Sequence, residues 1–231
     1  MFYSIEDFDF NGSWGVSIIP YRDQFILHID NVYKNPLRVY EFLKSSPIRS
    51  HRLLDGGEHK GNLIYSIGGC KNGKEFYDGQ LKLDNRLSAN RCELYDRIIQ
   101  FYQLDPESIG EFPPISVFNQ FRLVKDYPGN GKFYSPHTDN KINCCTYLNP
   151  DCGSSSGTML YKAVDKDWQE GWSDNEEHLR PWKDSSLFLG DLCILSKFNS
   201  MVVFPGTIPH GQIIIDNRFK EKTRFTEAVF F

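Results

Sequence analysis

The chain has 231 residues and a net charge of −4, with no basic run. This suits one sizeable domain and argues against a nucleic-acid footprint or an anionic membrane surface. No stretch is long and apolar enough for a membrane span. The six cysteines, Cys70, Cys92, Cys144, Cys145, Cys152 and Cys193, form no CxxC pair. The chain is not short, and its opening MFYSIEDFDF resembles neither a signal nor a transit peptide, so a reduced, cytoplasmic protein is expected.

Residues 1–20 are aromatic with Gly and Asn turns, which suits short strands or an N-terminal arm. Gln24 to Asp30 has strand character. Asn35-Pro36 opens a helix with an apolar face of Leu37, Val39, Tyr40, Phe42 and Leu43, closed by Ser46-Pro47. Residues 48–84 are interrupted by seven glycines and read either as a surface excursion or as a flap bordering a substrate cleft. A second helix is predicted from about Asp84 to Leu104, where Leu87, Leu94, Ile98, Ile99 and Tyr102 recur at helical spacing.

After residue 114 the pattern changes to short strands. These are Ser116–Lys125, Lys132–His137, Ile142–Leu148, Thr158–Ala163, Leu187–Leu195, Met201–Phe204, His210–Ile215 and Thr223–Phe231. With turn signals between them, they suggest a barrel or double-sheet jelly roll supported by the earlier helices. Residues 165–184, DKDWQEGWSDNEEHLRPWKD, form a Trp-rich acidic insert. It is read as solvated, its Trp rings packed on the barrel, with a lid or partner surface as the alternative. The whole chain is expected to form a single domain, 1–116 supporting the jelly-roll core of 117–231.

Tyr127 to Asp139 reads YPGNGKFYSPHTD. The turn Pro128-Gly129-Asn130-Gly131 has the look of a hairpin joint. Alternate residues of a strand share a face, so His137 and Asp139 project together. An imidazole and a carboxylate suit a divalent metal, and one more His completes the 2-His-1-carboxylate set of non-haem Fe(II) oxygenases. An HxD tripeptide carries little alone in a chain with six histidines. His210, at the start of a strand after an apolar strand and a Pro-Gly turn, supplies the third donor. Arg224 begins a largely apolar strand, where an Arg either snorkels to water or forks around a carboxylate.

In order, the chain holds Tyr127-Pro-Gly-Asn-Gly131, His137-Thr-Asp-Asn140, Tyr147-Leu-Asn149, Gly157, His210 and Arg224-Phe225. Over about residues 117–231 this resembles the 2-oxoglutarate- and Fe(II)-dependent oxygenases of the prolyl-hydroxylase-like group. It is most similar to the prolyl hydroxylases that act on hypoxia-inducible factor. Residues 1–116 show no such match. The resemblance implies a double-stranded β-helix holding Fe(II) through His137, Asp139 and His210. It implies 2-oxoglutarate anchored at its distal carboxylate by Arg224 and Tyr147, with Tyr127, Cys145 and Met159 lining the pocket. It further implies O2 as oxidant and ascorbate as reductant.

The implied reaction is hydroxylation of an amino-acid-type substrate, free or in a peptide, coupled to conversion of 2-oxoglutarate to succinate and CO2. With Asp139 present, halogenation is not expected. Asn119, Phe121 and Leu123 share parity with Tyr127 and are candidates to face substrate. The chain departs from the family in the thirteen residues between His210 and Arg224, which bring Arg218 in as a competitor, and in the Trp-rich insert. Alternatives are a non-catalytic jelly-roll metal- or ligand-binding module, a His2Asp zinc hydrolase, and an oxygenase of the same class acting on a nucleobase or small metabolite.

Overall fold

A computed structural model describes residues 5–45, 50–52, 58–67, 85–103, 115–123, 126–139, 142–151, 155–164 and 182–230. In chain order these form a 3-10 turn (Ile5–Phe8), β1 (Gly15–Tyr21), β2 (Gln24–Asp30), α1 (Pro36–Ser45), β3 (Ser50–Arg52), β4 (Glu58–Ile67), α2 (Asn85–Tyr102) and β5 (Ile115–Leu123). There follow β6 (Lys132–Tyr134), β7 (Ile142–Tyr147), β8 (Gly157–Ala163), β9 (Trp182–Asp184), β10 (Phe188–Leu195), β11 (Ser200–Pro205), β12 (His210–Gln212), the short α3 (Arg218–Glu221) and β13 (Arg224–Phe230).

The larger sheet has the order β1-β2-β11-β7-β13-β5-β4-β3, and the smaller β10-β8-β12. The fold is mainly β, a double-stranded β-helix with helices on one side. Register explains both cores, because residues directly opposed on neighbouring strands share a face. On one face of the larger sheet Leu27, Val203, Cys144 and Val229 line up. This face buries against Val39, Phe42 and Leu43 of α1 and Leu94 and Ile98 of α2. The three α1 residues recur at i, i+3 and i+4, the spacing that puts side chains on one helical stripe, and Pro36 opens that helix where its missing N–H costs nothing. Tyr102 ties the end of α2 to the sheet, its hydroxyl 3.0 Å from the carbonyls of Phe25 and of Val203.

The other face looks into the jelly roll. Ile26, Tyr147, Val202 and Phe204 of the larger sheet meet Leu160 and Ile194 of the smaller one there. The alternation divides the two adjacent cysteines, Cys144 to the helix side and Cys145 to the interior.

Several expectations are corrected. The stretch 48–84 is not wholly loop: β3 and β4 extend the larger sheet beyond β5. What made it look like a loop, its glycines, includes Gly61 inside β4, where pairing with Phe121 of β5 decides the conformation. Residues 53–57 and 68–84, with most of the proposed flap, lie outside the described residues, as does 165–181 of the Trp-rich insert. The end of that insert is strand: β9 pairs with β6, and Lys132 meets Asp184 at 2.8 Å. The Pro128–Gly131 turn is therefore no hairpin joint. It carries the chain from the larger sheet to this separate two-stranded ribbon, with Gly129 and Gly131 at φ +100° and +85°. The strand expected over Gln24–Asp30 is β2, and with β1 it forms one edge of the larger sheet.

Candidate metal centre

His137 and His210 come together through reciprocal backbone hydrogen bonds, His137 N–H to His210 O at 2.9 Å and His210 N–H to His137 O at 2.8 Å. The N–H of Asp139 donates to Gly206 O at 2.9 Å, in the Pro-Gly turn after β11. The HxD segment is thus stitched to the segment bearing the distal histidine. Gly211 permits the close approach: a Cβ there would stand 2.6 Å from Tyr134 O.

One donor atom from each of His137, Asp139 and His210 lies within 4.8 Å of the others. Asp139 Oδ2 is 3.2 Å from His210 Nε2 and 3.5 Å from His137 Nε2. Each ring is oriented from behind. His137 Nδ1 is 2.6 Å from Ser135 O and His210 Nδ1 is 2.8 Å from Ile208 O. Ser135 reaches that position at φ +47°. A carbonyl accepts only, so each Nδ1 carries a proton and each Nε2 is the ring nitrogen that faces the centre.

Charge follows the same logic. Burial pushes the Asp139 carboxyl up, but the hydrogen bonds and charges of His137 and His210 outweigh it and hold it below the usual carboxylate range. Burial, then the neighbouring His137, lowers His210 against the opposing pull of Asp139. The depressed Asp139 carboxyl is ionised, as a divalent cation needs of a carboxylate ligand. The donor set fits Fe(II) on its chemistry.

A second polar group sits on the same inner face. Arg224 is only 7% exposed, and among the described residues no carboxylate pairs with it. Its Nη1 donates to Gln212 Oε1 at 3.0 Å and its Nη2 approaches Gly157 O at 3.5 Å. Its Nε is buried without a partner. Tyr147 Oη lies 2.7 Å from Thr158 Oγ1. Cys145 faces both Arg224 and Thr158, and burial raises its thiol pKa although Arg224 pulls it down. Gly157 belongs to this wall for a backbone reason: φ is +149°, and a Cβ would fall 2.1 Å from Ile194 O. Arg218, the sequence competitor, lies in α3 outside this cluster.

Asn119 and Phe121 share the inner face, opposed to Thr226 and Arg224, and Leu123 follows in the same parity. Tyr127 belongs to an aromatic cluster with Phe121, Tyr134 and Trp182. Its backbone N–H donates to Asn217 Oδ1 at 2.6 Å, and it makes no hydrogen bond to the metal-ligand set or Arg224.

Met159 is a correction. It is opposed to Gly211 and Cys193 and lies against Gly190, on the far face of β8. The inner place belongs to Thr158, because one step along a strand reverses the face. Thr158, Gln212 and Asn143 were missed. Parity could have found two of them: Asn143 is two residues before Cys145, and Gln212 two after His210.

No known family model matches the sequence, and no curated protein matches it. Similar solved structures include a prolyl-4-hydroxylase from Pseudomonas putida, at 11% identity and TM-score 0.40 over 84% of this chain and 82% of that one. IDO from Bacillus thuringiensis matches at 12% identity and TM-score 0.44, over 88% of both chains. The Fe(II)/α-ketoglutarate-dependent dioxygenase TqaL matches at 14% identity and TM-score 0.38, over 84% of this chain and 72% of that one. Among the described residues, no helix is long and apolar enough to cross a membrane.

Proposed function

We propose that the protein is a 2-oxoglutarate- and Fe(II)-dependent dioxygenase that hydroxylates an amino-acid-type substrate, free or within a peptide. The observation that carries this is the pairing of a His2Asp donor set with a buried, carboxylate-free guanidinium inside one jelly roll. A zinc hydrolase or a structural metal site gives Arg224 no task. A dicarboxylate with a keto-acid end uses both features.

In this reading His137, Asp139 and His210 would hold the iron. The iron and 2-oxoglutarate together supply the oxidising power, with ascorbate as reductant. The chain's own residues bind, orient and exclude water. Arg224 forks around the distal carboxylate. The Tyr147 hydroxyl, held by Thr158, is close enough to the same wall to add a hydrogen bond. Fixing the far end of the cosubstrate fixes the pose of its reacting end. Ile26, Leu160, Ile194, Val202 and Phe204 form a dry interior that strengthens these contacts. Asn119, Phe121 and Leu123 are the wall residues proposed to face the substrate.

The test is succinate formation from 2-oxoglutarate with Fe(II) and ascorbate, screened against free amino acids and peptides. Substrate-stimulated succinate is the expected result. Absence of succinate under every condition, with Fe(II) bound, would leave only a binding module.

A further inference from the structure

Asn143 lies on the inner face of β7, between Phe204 of β11 and Phe230 of β13. It is 3% exposed. Its Nδ2 donates to Asp139 Oδ2 at 2.6 Å and lies 3.0 Å from His210 Nε2. Its Oδ1 is buried with no partner.

The orientation of this amide follows from its neighbours. The Asp139 carboxylate accepts only. The NH2 end must therefore face it, beside His210 Nε2, and the carbonyl end must point away. A side chain that merely filled space between strands would not leave its carbonyl buried and unsatisfied, since such groups are disfavoured. The carbonyl is therefore free to accept a hydrogen bond from a protic group in the site.

Asp139 needs, at its carboxylate, the donor that the NH2 end supplies. Its N–H is anchored to Gly206 O, but the carboxyl itself can rotate. The oxygen that faces both imidazole nitrogens is the one that receives the Asn143 hydrogen bond. From these contacts we infer that Asn143 is a positioning residue for the metal carboxylate. It holds Asp139 Oδ2 toward the cation and limits rotation of the carboxyl. The inference rests on the metal reading proposed above and assigns Asn143 a part in it.

The test uses Co(II) alone as probe, bound to the full chain under anaerobic conditions and followed through its visible ligand-field bands. Asn143→Leu removes the donor at similar volume. It is expected to weaken Co(II) binding about 10- to 100-fold, the range seen when a group supporting a metal ligand is lost, and to change the band pattern. In an Asp139→Ala background the same substitution is expected to have almost no effect, because Asn143 acts through Asp139. The thermal midpoint of the metal-free protein controls for folding, and Asn143→Ser gives the same comparison should Asn143→Leu not fold. Equal losses in both backgrounds would mean a structural role and overturn the inference, as would unchanged affinity in Asn143→Leu. Failure of the unsubstituted protein to bind Co(II) would instead overturn the metal reading itself.

Discussion

Replacing Arg224 with Met separates a ligand anchor from a fold support, because the two roles give opposite signs in stability. The guanidinium is nearly inaccessible, has no carboxylate partner among the described residues, and keeps one good hydrogen bond, to Gln212. Burying a lone charge costs several kcal/mol, and a hydrogen bond to a charged group returns about 1.5–3 kcal/mol. The uncomplexed protein thus carries a deficit on the order of 1–3 kcal/mol at this site. Arg224→Met, of similar reach and no charge, should recover it and raise the thermal midpoint by roughly 2–12 °C for a chain of this size.

Binding should move the other way. Stranding the distal carboxylate of 2-oxoglutarate without its cation costs about 3–5 kcal/mol, on the order of a hundredfold to a few thousandfold in affinity. Calorimetric titration of the anaerobic Fe(II) protein reads this directly. Arg224→Lys should recover part, keeping the charge without the fork. Arg218→Ala should leave affinity nearly unchanged. A variant that loses stability and keeps its affinity would refute the reasoning and make Arg224 a structural residue.

His210→Ala should abolish Fe(II) binding at stoichiometric concentrations while far-ultraviolet circular dichroism stays native, since the ring serves chemistry more than packing. Thr158→Val should weaken 2-oxoglutarate binding by releasing the Tyr147 hydroxyl, and Met159→Leu should not; the reverse ranking would show that the parity of β8 is misassigned. Gly157→Ala should cost about 1–3 kcal/mol in chemical denaturation from positive-φ strain alone, with the contact to Ile194 O adding to it; a neutral result would mean that the backbone relaxes freely. Peptide-resolved alkylation of the native protein should modify exposed Cys193 and spare Cys144, which is fully buried with its thiol pKa pushed well up by that burial; rapid labelling of Cys144 would contradict the helix-side packing of β7.

Much of the site was legible because its parts obey short-range rules. HxD alternation puts two donors on one face, and an isolated Arg in an apolar strand asks for a partner. The strands from Ile115 onward follow alternation or apolar runs bounded by Pro and Gly, and their edges fall within a few residues of expectation. What escaped depended on pairing across the sheet. Glu58–Ile67 contains Gly61 and is bracketed by Gly56, Gly57, Gly68 and Gly69, yet β5 recruits it as a strand. Trp182–Asp184 is three residues long and is strand only because β6 lies beside it. The family resemblance puts Met159 in the pocket, and a slip of one residue along β8 is enough to misplace it. Asn143 shares the parity of Cys145, but an Asn in an apolar strand acquires its role only when Asp139 and His210 are seen together at its NH2 end.

One interior is proposed to hold both the metal and a dicarboxylate keto acid. Anaerobic addition of 2-oxoglutarate to the Fe(II)-loaded protein tests it most directly, because a keto acid chelated to Fe(II) gives a visible charge-transfer band. The account predicts that this band grows to saturation at one equivalent per chain. It predicts no band in His210→Ala, and a band requiring far more 2-oxoglutarate in Arg224→Met. Tight Fe(II) binding with no band at any 2-oxoglutarate concentration would contradict it.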